Sequence, residues 1–346
     1  SDNMKKYIFL LSLALLAITM VLVFYVLLRP KATSSDVELT TGNIILQPLE
    51  KQIFQQVDGS GTVKITLKTD ALCSIDGKEL EQLSDLEVGI GLHTLRCETD
   101  KELDERQFFV GDVFVVAGQS NALGASLNFE LEPEATQFSV MYDPYQRQFR
   151  SPGMVLENKE KGIEIGGSAW PAFVNTYYRE SGVPVGLINL TRVSPIGIYL
   201  AGKEHPKSDF FYPFFISELQ KFGPMKGVIW YHGESAEATP ELAASYHQDL
   251  LKFIGYVRSD IQYDVPFYLV NIGRVKNESV SQERLDTVRQ AVDAVSTSSA
   301  QVSIVARAEA YSLNCEESMT STDCVHLGQQ GLNNLGNDVA KALLHE

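Results

Sequence analysis

The chain has 346 residues, of which 44% are hydrophobic, and a formal net charge of −15 at pH 7. This length allows a large core, arranged as one large domain with a smaller one beside it. An acidic chain without a basic patch lacks the surface that binds phosphates, which argues against a nucleic-acid partner. Such a charge serves solubility and is compatible with neutral substrates.

Residues 1–31 contain a predicted membrane segment. Ser1–Asn3 precede Met4 and resemble the remnant of an expression tag. Tyr7–Leu28 is an apolar run without a charge, and as a helix it would span roughly 33 Å, enough for a bilayer core. A cleavable signal has a shorter apolar region of about 7–15 residues, so we favour a retained anchor over cleavage and secretion. Residues 32–41 are predicted to form a polar linker.

Four cysteines form two pairs that are local in sequence, and four cysteines allow three connectivities. Loop entropy favours the pairs Cys73–Cys97 and Cys315–Cys324. Their spacing fits no standard zinc pattern, so no metal is predicted. An even cysteine count after a membrane segment indicates an oxidising compartment and places the bulk of the chain outside the cytoplasm. Four separate buried thiols are the alternative.

Residues 42–110 contain short β-like runs separated by turn residues such as those at 58–61. These runs are at 43–46, 52–57, 62–67, 93–97 and 106–110. Residues 62–67 alternate in the manner of a strand with one buried face. We predict a small β-sandwich-like domain that the disulfide Cys73–Cys97 closes.

Residues 111–346 change to an alternation of strands and helices, which predicts a parallel sheet covered on both faces. Segment 128–165 has little periodicity and is expected to lie over the carboxyl edge of the sheet. Its Tyr142, Tyr145, Arg147 and Arg150 either line a site or pack on the surface. The predicted strands are 112–117, 185–190, 226–231, 266–272 and 301–306, and the predicted helices are 169–181, 241–258, 282–296 and 328–344.

The stretch Gly118-Gln119-Ser120-Asn121 directly follows the first strand of this sheet. Gly118 permits a sharp turn that would place Ser120 at the carboxyl end of a strand, where open α/β sheets bind their ligands. A serine becomes a nucleophile only when a base can take its proton. Without such a base, this stretch would be a turn that contains two small polar residues.

Asp323 and His326 lie three residues apart, immediately before the last helix. A carboxylate at this spacing can bond one ring nitrogen, which fixes the tautomer and leaves the other nitrogen for a serine hydroxyl. A disulfide between Cys315 and Cys324 would hold this loop in place. The alternative is a histidine on a surface loop.

His232 and Glu234 follow another buried strand, and we expect them to emerge at the same sheet edge as Ser120. A structural histidine and an ion-paired glutamate are the alternatives. Together, the three stretches resemble the SGNH (GDSL-like) hydrolases, and most closely their sialate O-acetylesterase and acetylxylan esterase branch. Residues 167–171 and 183–188 share the resemblance. It implies an α/β, flavodoxin-like three-layer sandwich over 111–346, preceded by a small all-β domain.

The resemblance implies that Ser120 is the nucleophile, His326 the general base and Asp323 the carboxylate that orients it. The N–H of Ser120 would donate to the oxyanion, with Gln119, Asn121, His232, Glu234 and Gly197 as further oxyanion or substrate residues. The sequence departs from the family at two places. His232 stands where relatives have Gln or Asn, and Glu234 could fix its tautomer; residues 191–197 replace a Gly-Gly-Ser/Thr stretch whose glycine completes the oxyanion hole.

The function implied by this resemblance is a serine esterase that removes O-acetyl groups from a carbohydrate, with neither a metal nor an organic cofactor. Acetyl transfer to a sugar hydroxyl on the same fold is one alternative. A non-catalytic glycan-binding protein of the cell envelope is another, because losing one oxyanion donor costs about 10²–10³ in rate. The identity of the sugar and the oligomeric state are not encoded in any of these motifs.

Overall fold

A computed structural model of the chain describes residues 44–153, 157–158, 163–164, 166–205, 210–277 and 280–346. The strands are β1 (Ile45–Gln47), β2 (Gln52–Gln55), β3 (Ser60–Val63), β4 (Thr66–Leu67), β5 (Leu72–Ile75), β6 (Lys78–Glu79), β7 (Leu86–Gly89), β8 (Gly91–Glu98), β9 (Leu103–Gly118), β10 (Ser139–Asp143), β11 (Gln148–Arg150), β12 (Glu157–Asn158), β13 (Ile163–Glu164), β14 (Val185–Thr191), β15 (Gly227–Tyr231), β16 (Phe267–Asn271) and β17 (Val302–Arg307). The helices are α1 (Ser120–Leu123), α2 (Trp170–Ser181), α3 (Ile196–Glu204), α4 (Phe211–Phe222), α5 (Pro240–Ile261), α6 (Gln282–Ser298), α7 (Asn314–Glu317) and α8 (Gln329–Leu344).

The central sheet has the strand order β11-β10-β14-β9-β15-β16-β17. Every neighbouring pair from β10 to β17 is parallel, and β11 adds an antiparallel edge strand. All five residues of β10 are buried and four of them pair with β14, so this part of segment 128–165 belongs to the sheet and does not lie over its edge. The expectation for that stretch was therefore wrong, and the sheet is mixed.

Helices cover both faces of the sheet. Phe114 of β9 packs edge-on against Phe173 and Tyr177 of α2, at centroid distances of 5.8 and 5.5 Å. Trp230 of β15 pairs with Ala117, which puts it on the opposite face from Phe114 because side chains alternate along a strand. There it contacts Tyr199 of α3 and Phe253 of α5. The α/β architecture expected for an SGNH-like hydrolase is therefore present.

Strand β9 connects this sheet to the β-rich N-terminal part. Its first half pairs with β8 in antiparallel and with β2 in parallel orientation, and its second half pairs with β14 and β15. The partners of β9 change at Gly111. The backbone of Pro184, just before β14, approaches so closely here that a Cβ on residue 111 would lie 2.0 Å from the Pro184 carbonyl oxygen. The predicted boundary at residue 110 thus falls inside a continuous strand, and residues 42–346 form one compact unit.

The β-rich part has its own hydrophobic cluster, which includes Val63, Leu95 and Phe108. Cys73 of β5 lies directly opposite Cys97 of β8, and the two form a disulfide. This is the pairing that the sequence predicted.

The predicted membrane segment at Tyr7–Leu28 lies outside the described residues. Across the ranges that the structure does describe, no helix combines the length and apolarity that crossing a bilayer requires. The anchor stays a prediction.

Candidate active site

The turn after β9 brings Ser120 to the carboxyl edge of the sheet. Gly118 has a φ of +133°, and a Cβ at this position would lie 2.0 Å from the Tyr231 carbonyl oxygen. The next residue, Gln119, donates its N–H to the same carbonyl at 3.1 Å. Helix α1 then begins at Ser120. The close approach of β9 and β15 is therefore possible only with glycine, and it fixes where the serine emerges.

Gly118→Ala is expected to lower the free energy of unfolding by about 3 kcal/mol or more, since the new Cβ meets both a strained φ and a backbone oxygen. Gly182→Ala is the matched control, because Gly182 has a φ of +70° but no atom within 4 Å of its added Cβ. That control should lose only about 1 kcal/mol. Chemical denaturation measures both, and equal losses would contradict the close approach.

Ser120, His326 and Asp323 form one hydrogen-bonded chain, as the sequence predicted for their positions. Ser120 Oγ lies 2.9 Å from His326 Nε2, and His326 Nδ1 lies 2.9 Å from Asp323 Oδ2. A carboxylate can only accept, so Nδ1 carries the proton and Nε2 is free to accept from the serine hydroxyl. The side chains of His326 and Asp323 are 29% and 24% exposed, which leaves the site open to a substrate.

Asp323 is held in its ionised form by four hydrogen-bond donors. Its Oδ1 accepts the backbone N–H groups of Val325 and His326, both at 3.1 Å, and its Oδ2 accepts Nδ2 of Asn314 at 2.9 Å. Partial burial opposes the charge, but the hydrogen bonds from Asn314, His326 and Val325 outweigh it and lower the pKa of Asp323. The carboxylate is therefore ionised at neutral pH and can stabilise an imidazolium.

Asn314 is a site residue that the sequence reading missed. Besides Asp323, its amide contacts the carbonyl oxygen of Ala125 at 3.0 Å and the N–H of Leu127 at 3.0 Å. It therefore ties the Asp323 loop to the chain that follows the nucleophile helix. One signal in the sequence could have identified Asn314: it directly precedes Cys315, the predicted disulfide partner of Cys324.

The disulfide Cys315–Cys324 is present and closes the loop that carries the acid and the base. Around it, the N–H of Cys315 donates to the carbonyl of Asp323, and the N–H of Asn314 donates to that of His326, each at 2.9 Å. A covalent link and two backbone hydrogen bonds thus restrict the same short segment. The loop is preorganised, as expected from the sequence.

Asn121 connects the nucleophile helix to the histidine loop. Its Oδ1 accepts the N–H of Leu327 at 3.0 Å, and its Nδ2 donates to Oε1 of Glu234 at 2.8 Å. Glu234 is only 7% exposed, and burial raises its pKa despite the hydrogen bond from Asn121. Because Oε1 of Glu234 accepts the hydrogen bond from Nδ2 of Asn121, the amide oxygen Oδ1 of Asn121 faces the N–H of Leu327.

His232 does not make the predicted contact with Glu234. Its Nε2 lies 2.9 Å from the carbonyl oxygen of Ser194, its Nδ1 lies 3.1 Å from Oη of Tyr246, and its ring stacks against Trp230. Burial lowers the pKa of His232 to about 4, so the ring is neutral and Nε2 donates to Ser194. With both nitrogens engaged inside the protein, we do not assign an oxyanion contact to His232.

The loop after β14 is also used differently from the expectation. The N–H of Arg192 donates to the Gly118 carbonyl, and the N–H of Ser194 donates to the Arg192 carbonyl, both at 2.8 Å. Gly197 is exposed within the first turn of α3. Among the described residues nothing accepts the N–H of Val193, whose side chain is 65% exposed. Gln119, by contrast, is buried, and its Oε1 accepts the Ser235 hydroxyl at 3.1 Å.

Solved structures with a similar fold include the following two. A carbohydrate acetylesterase from Xanthomonas citri is 20% identical with a TM-score of 0.59, and the match covers 85% of this chain and 72% of that one. A protein from Arabidopsis thaliana is also 20% identical, with a TM-score of 0.55 over 68% of this chain and 98% of that one. A search of curated proteins gave no match.

The family described as "carbohydrate esterase, sialic acid-specific acetylesterase" matches residues 110–345. This range begins within β9 and contains the nucleophile turn, the Asn121–Glu234 link and the Asp323–His326 loop. It covers well over half of the chain, and it agrees with the resemblance that the sequence motifs indicated. The chain therefore belongs to this family of carbohydrate esterases.

Proposed function

We propose that this protein is a serine esterase that removes O-acetyl groups from a carbohydrate through an acetyl-enzyme on Ser120. The observation that carries the proposal is the hydrogen-bonded chain from Ser120 through His326 to Asp323. This arrangement supplies a nucleophile, a base of defined tautomer and a carboxylate to stabilise the protonated base. Membership in a carbohydrate esterase family supports a sugar ester as the substrate.

In the first step, Oγ of Ser120 attacks the acetyl carbonyl while Nε2 of His326 accepts the serine proton. The tetrahedral intermediate then collapses, the C–O bond to the sugar breaks, and the imidazolium returns its proton to the sugar oxygen. In the second step, His326 takes a proton from a water molecule as the water attacks the acetyl group on Ser120. The bond between the acetyl carbon and Oγ then breaks, the imidazolium returns its proton to Oγ, and acetic acid leaves and ionises to acetate. No step in this sequence requires a metal or an organic cofactor.

We infer that backbone N–H groups stabilise the oxyanion. The candidates are the N–H of Ser120, at the start of α1, and the N–H of Val193, in the loop that hydrogen-bonds to Gly118. His232 is not included, because its ring nitrogens contact Ser194 and Tyr246. Fixed backbone donors suit this role because they need no reorganisation during the reaction.

The two disulfides indicate an oxidising compartment and hence a location outside the cytoplasm. We propose further that Tyr7–Leu28 anchors the protein to a membrane with residues 42–346 on the extracytoplasmic side. The apolar length of this run supports the anchor.

The test is to incubate the purified protein with 4-nitrophenyl acetate and with glucose pentaacetate, with and without a serine-directed fluorophosphonate. Acetate release from both esters is expected, as is its loss after the reagent modifies the peptide that contains Ser120. If the folded protein releases acetate from neither ester, the proposal is contradicted.

Glu234→Ala is expected to lower kcat by up to about 10²-fold with little change in KM, because Asn121 loses the acceptor that orients it. Glu234→Gln is the matched variant and should retain most of the activity, since its amide oxygen can accept the same hydrogen bond. Steady-state kinetics with 4-nitrophenyl acetate measures both. An equal loss in the two variants would show that the charge of Glu234, and not its acceptor, is required.

A further inference from the structure

A group of aromatic residues is exposed beside the nucleophile turn. We call Tyr145, Phe210, Phe214 and Arg192 the aromatic platform. The side chains of Tyr145 and Phe210 are 61% and 59% exposed. The ring of Tyr145 stacks on that of Phe214, with a centroid distance of 5.4 Å and an interplanar angle of 22°. Stacking leaves one broad face of Tyr145 open to solvent while its other face is covered.

The platform is held together by contacts on α4 and by Arg192. Phe214 donates its backbone N–H to the carbonyl of Phe210, which places the two rings one helical turn apart. The Arg192 guanidinium lies 5.7 Å from the ring centroid of Phe210 and 4.9 Å from that of Phe211. These are cation–π distances, so Arg192 fixes the start of α4 against the loop after β14.

Hydrogen bonds and an ion pair hold the turn that carries Tyr145. Oδ1 of Asp143 accepts the backbone N–H groups of Tyr145 and Gln146, at 3.0 and 3.2 Å. Oδ2 of Asp143 lies 3.2 Å from the guanidinium of Arg150 on β11. A ligand that contacts the Tyr145 ring would therefore order little additional chain, which preserves its binding energy.

One hydrogen bond connects the platform directly to the nucleophile turn, and a second, from Tyr199 of α3, reaches the same carbonyl oxygen. The Gly118 carbonyl accepts the N–H of Arg192 at 2.8 Å and the hydroxyl of Tyr199 at 2.9 Å, and Gly118 is two residues before Ser120. The strands that lead to Tyr145 and Arg192, β10 and β14, are also successive neighbours of β9 on one side of it. The platform is thus continuous with the edge at which Ser120 stands.

We propose that the aromatic platform is a sugar-binding subsite that holds a pyranose ring of the acetylated glycan against the exposed face of Tyr145. This inference rests on the proposed function and adds to it the residues that select a sugar over a simple acetate ester. A pyranose presents an apolar face of C–H groups that fits an aromatic ring, and its rim of hydroxyls remains free to bind polar groups.

The experiment compares glucose pentaacetate with 4-nitrophenyl acetate in wild type, Tyr145→Ala and Tyr145→Phe. For Tyr145→Ala, kcat/KM for glucose pentaacetate is expected to fall about tenfold, mainly through a higher KM. The reason is that the bound sugar would no longer bury roughly 60 Å² of apolar surface. Activity on 4-nitrophenyl acetate should stay within about twofold of wild type, because this ester lacks the sugar ring. Tyr145→Phe keeps the ring and should restore the wild-type ratio of the two activities. Leu72→Ala is the control for removing an exposed apolar side chain, since Leu72 is 79% exposed on β5.

Each outcome decides the question. An unchanged ratio of the two activities in Tyr145→Ala, whether neither activity falls or both fall equally, would overturn the subsite. Wild-type hydrolysis of 4-nitrophenyl acetate without hydrolysis of glucose pentaacetate would also overturn it, while leaving the esterase intact. If wild type hydrolyses neither ester, the proposed function fails; titration of Ser120→Ala with glucose pentaacetate, followed by protein NMR, then tests the subsite alone. Binding that Tyr145→Ala loses would support it, and the absence of binding would overturn it.

Discussion

Ser120→Ala is expected to lower kcat for 4-nitrophenyl acetate by about 10⁵–10⁶-fold, and His326→Ala by a similar factor. Ser120 Oγ and His326 Nε2 are 2.9 Å apart and act as one unit, because the serine is a weak nucleophile until the imidazole takes its proton. The double variant should consequently be no slower than either single variant. Additive losses would mean that the two residues act in separate steps.

The appropriate control for these variants is His345→Ala, which removes an exposed histidine at the end of the chain. It should keep the wild-type kcat. Far-UV circular dichroism and the unfolding midpoint of each variant establish that the fold is intact. A Ser120→Ala protein that still hydrolyses the ester within about tenfold of wild type would rule out the proposed acetyl-enzyme.

Asp323→Asn is expected to lower kcat by about 10⁴-fold without unfolding the protein. The backbone N–H groups of Val325 and His326 would keep the amide oxygen at the Oδ1 position. The new NH₂ group would then face Nδ1 of His326, which would have to accept. The ring proton would move to Nε2, and that nitrogen could no longer take the serine proton.

This substitution has a matched control and a distinct signature. Asp286→Asn changes a carboxylate that is 60% exposed and paired with Arg289 on α6, and its kcat should remain that of wild type. The KM of Asp323→Asn should change little, because the carboxylate lies behind the histidine. Activity within about tenfold of wild type would show that Asp323 does not set the tautomer.

The sequence predicted those parts of the molecule that are determined by residues close together in the chain. The predicted strands are mostly apolar runs, and all five overlap strands of the central sheet. The ranges 112–117, 185–190, 226–231, 266–272 and 301–306 correspond, within one residue at each predicted end that differs, to parts of β9, β14, β15, β16 and β17. Helix α5 has such a local signal, since Thr239 accepts the N–H of Leu242 and Pro240 occupies the first turn. Ser120, Asp323 and His326 could be placed because each follows a recognisable strand or precedes a helix.

The sequence did not reveal features that depend on tertiary contacts. Strand β10 has only five residues with Ser139 and Asp143 at its ends, so its burial becomes evident only beside β14. Helix α3 was missed because its apolar residues are too dense to show a helical period. The ring of His232 turns toward Ser194, and Glu234 pairs with Asn121, which is 113 residues away in the chain. Such pairings cannot be read from spacing.

Strand β9 has a mechanical consequence. From Leu103 to Gly118 the backbone extends for about 50 Å without a hinge, and both halves are bonded to neighbouring strands. The β-rich part and the nucleophile are thus joined by a stiff spacer and cannot swing relative to one another as domains on a flexible linker do. Any molecule that binds to the β-rich part would consequently be held at a fixed distance from Ser120.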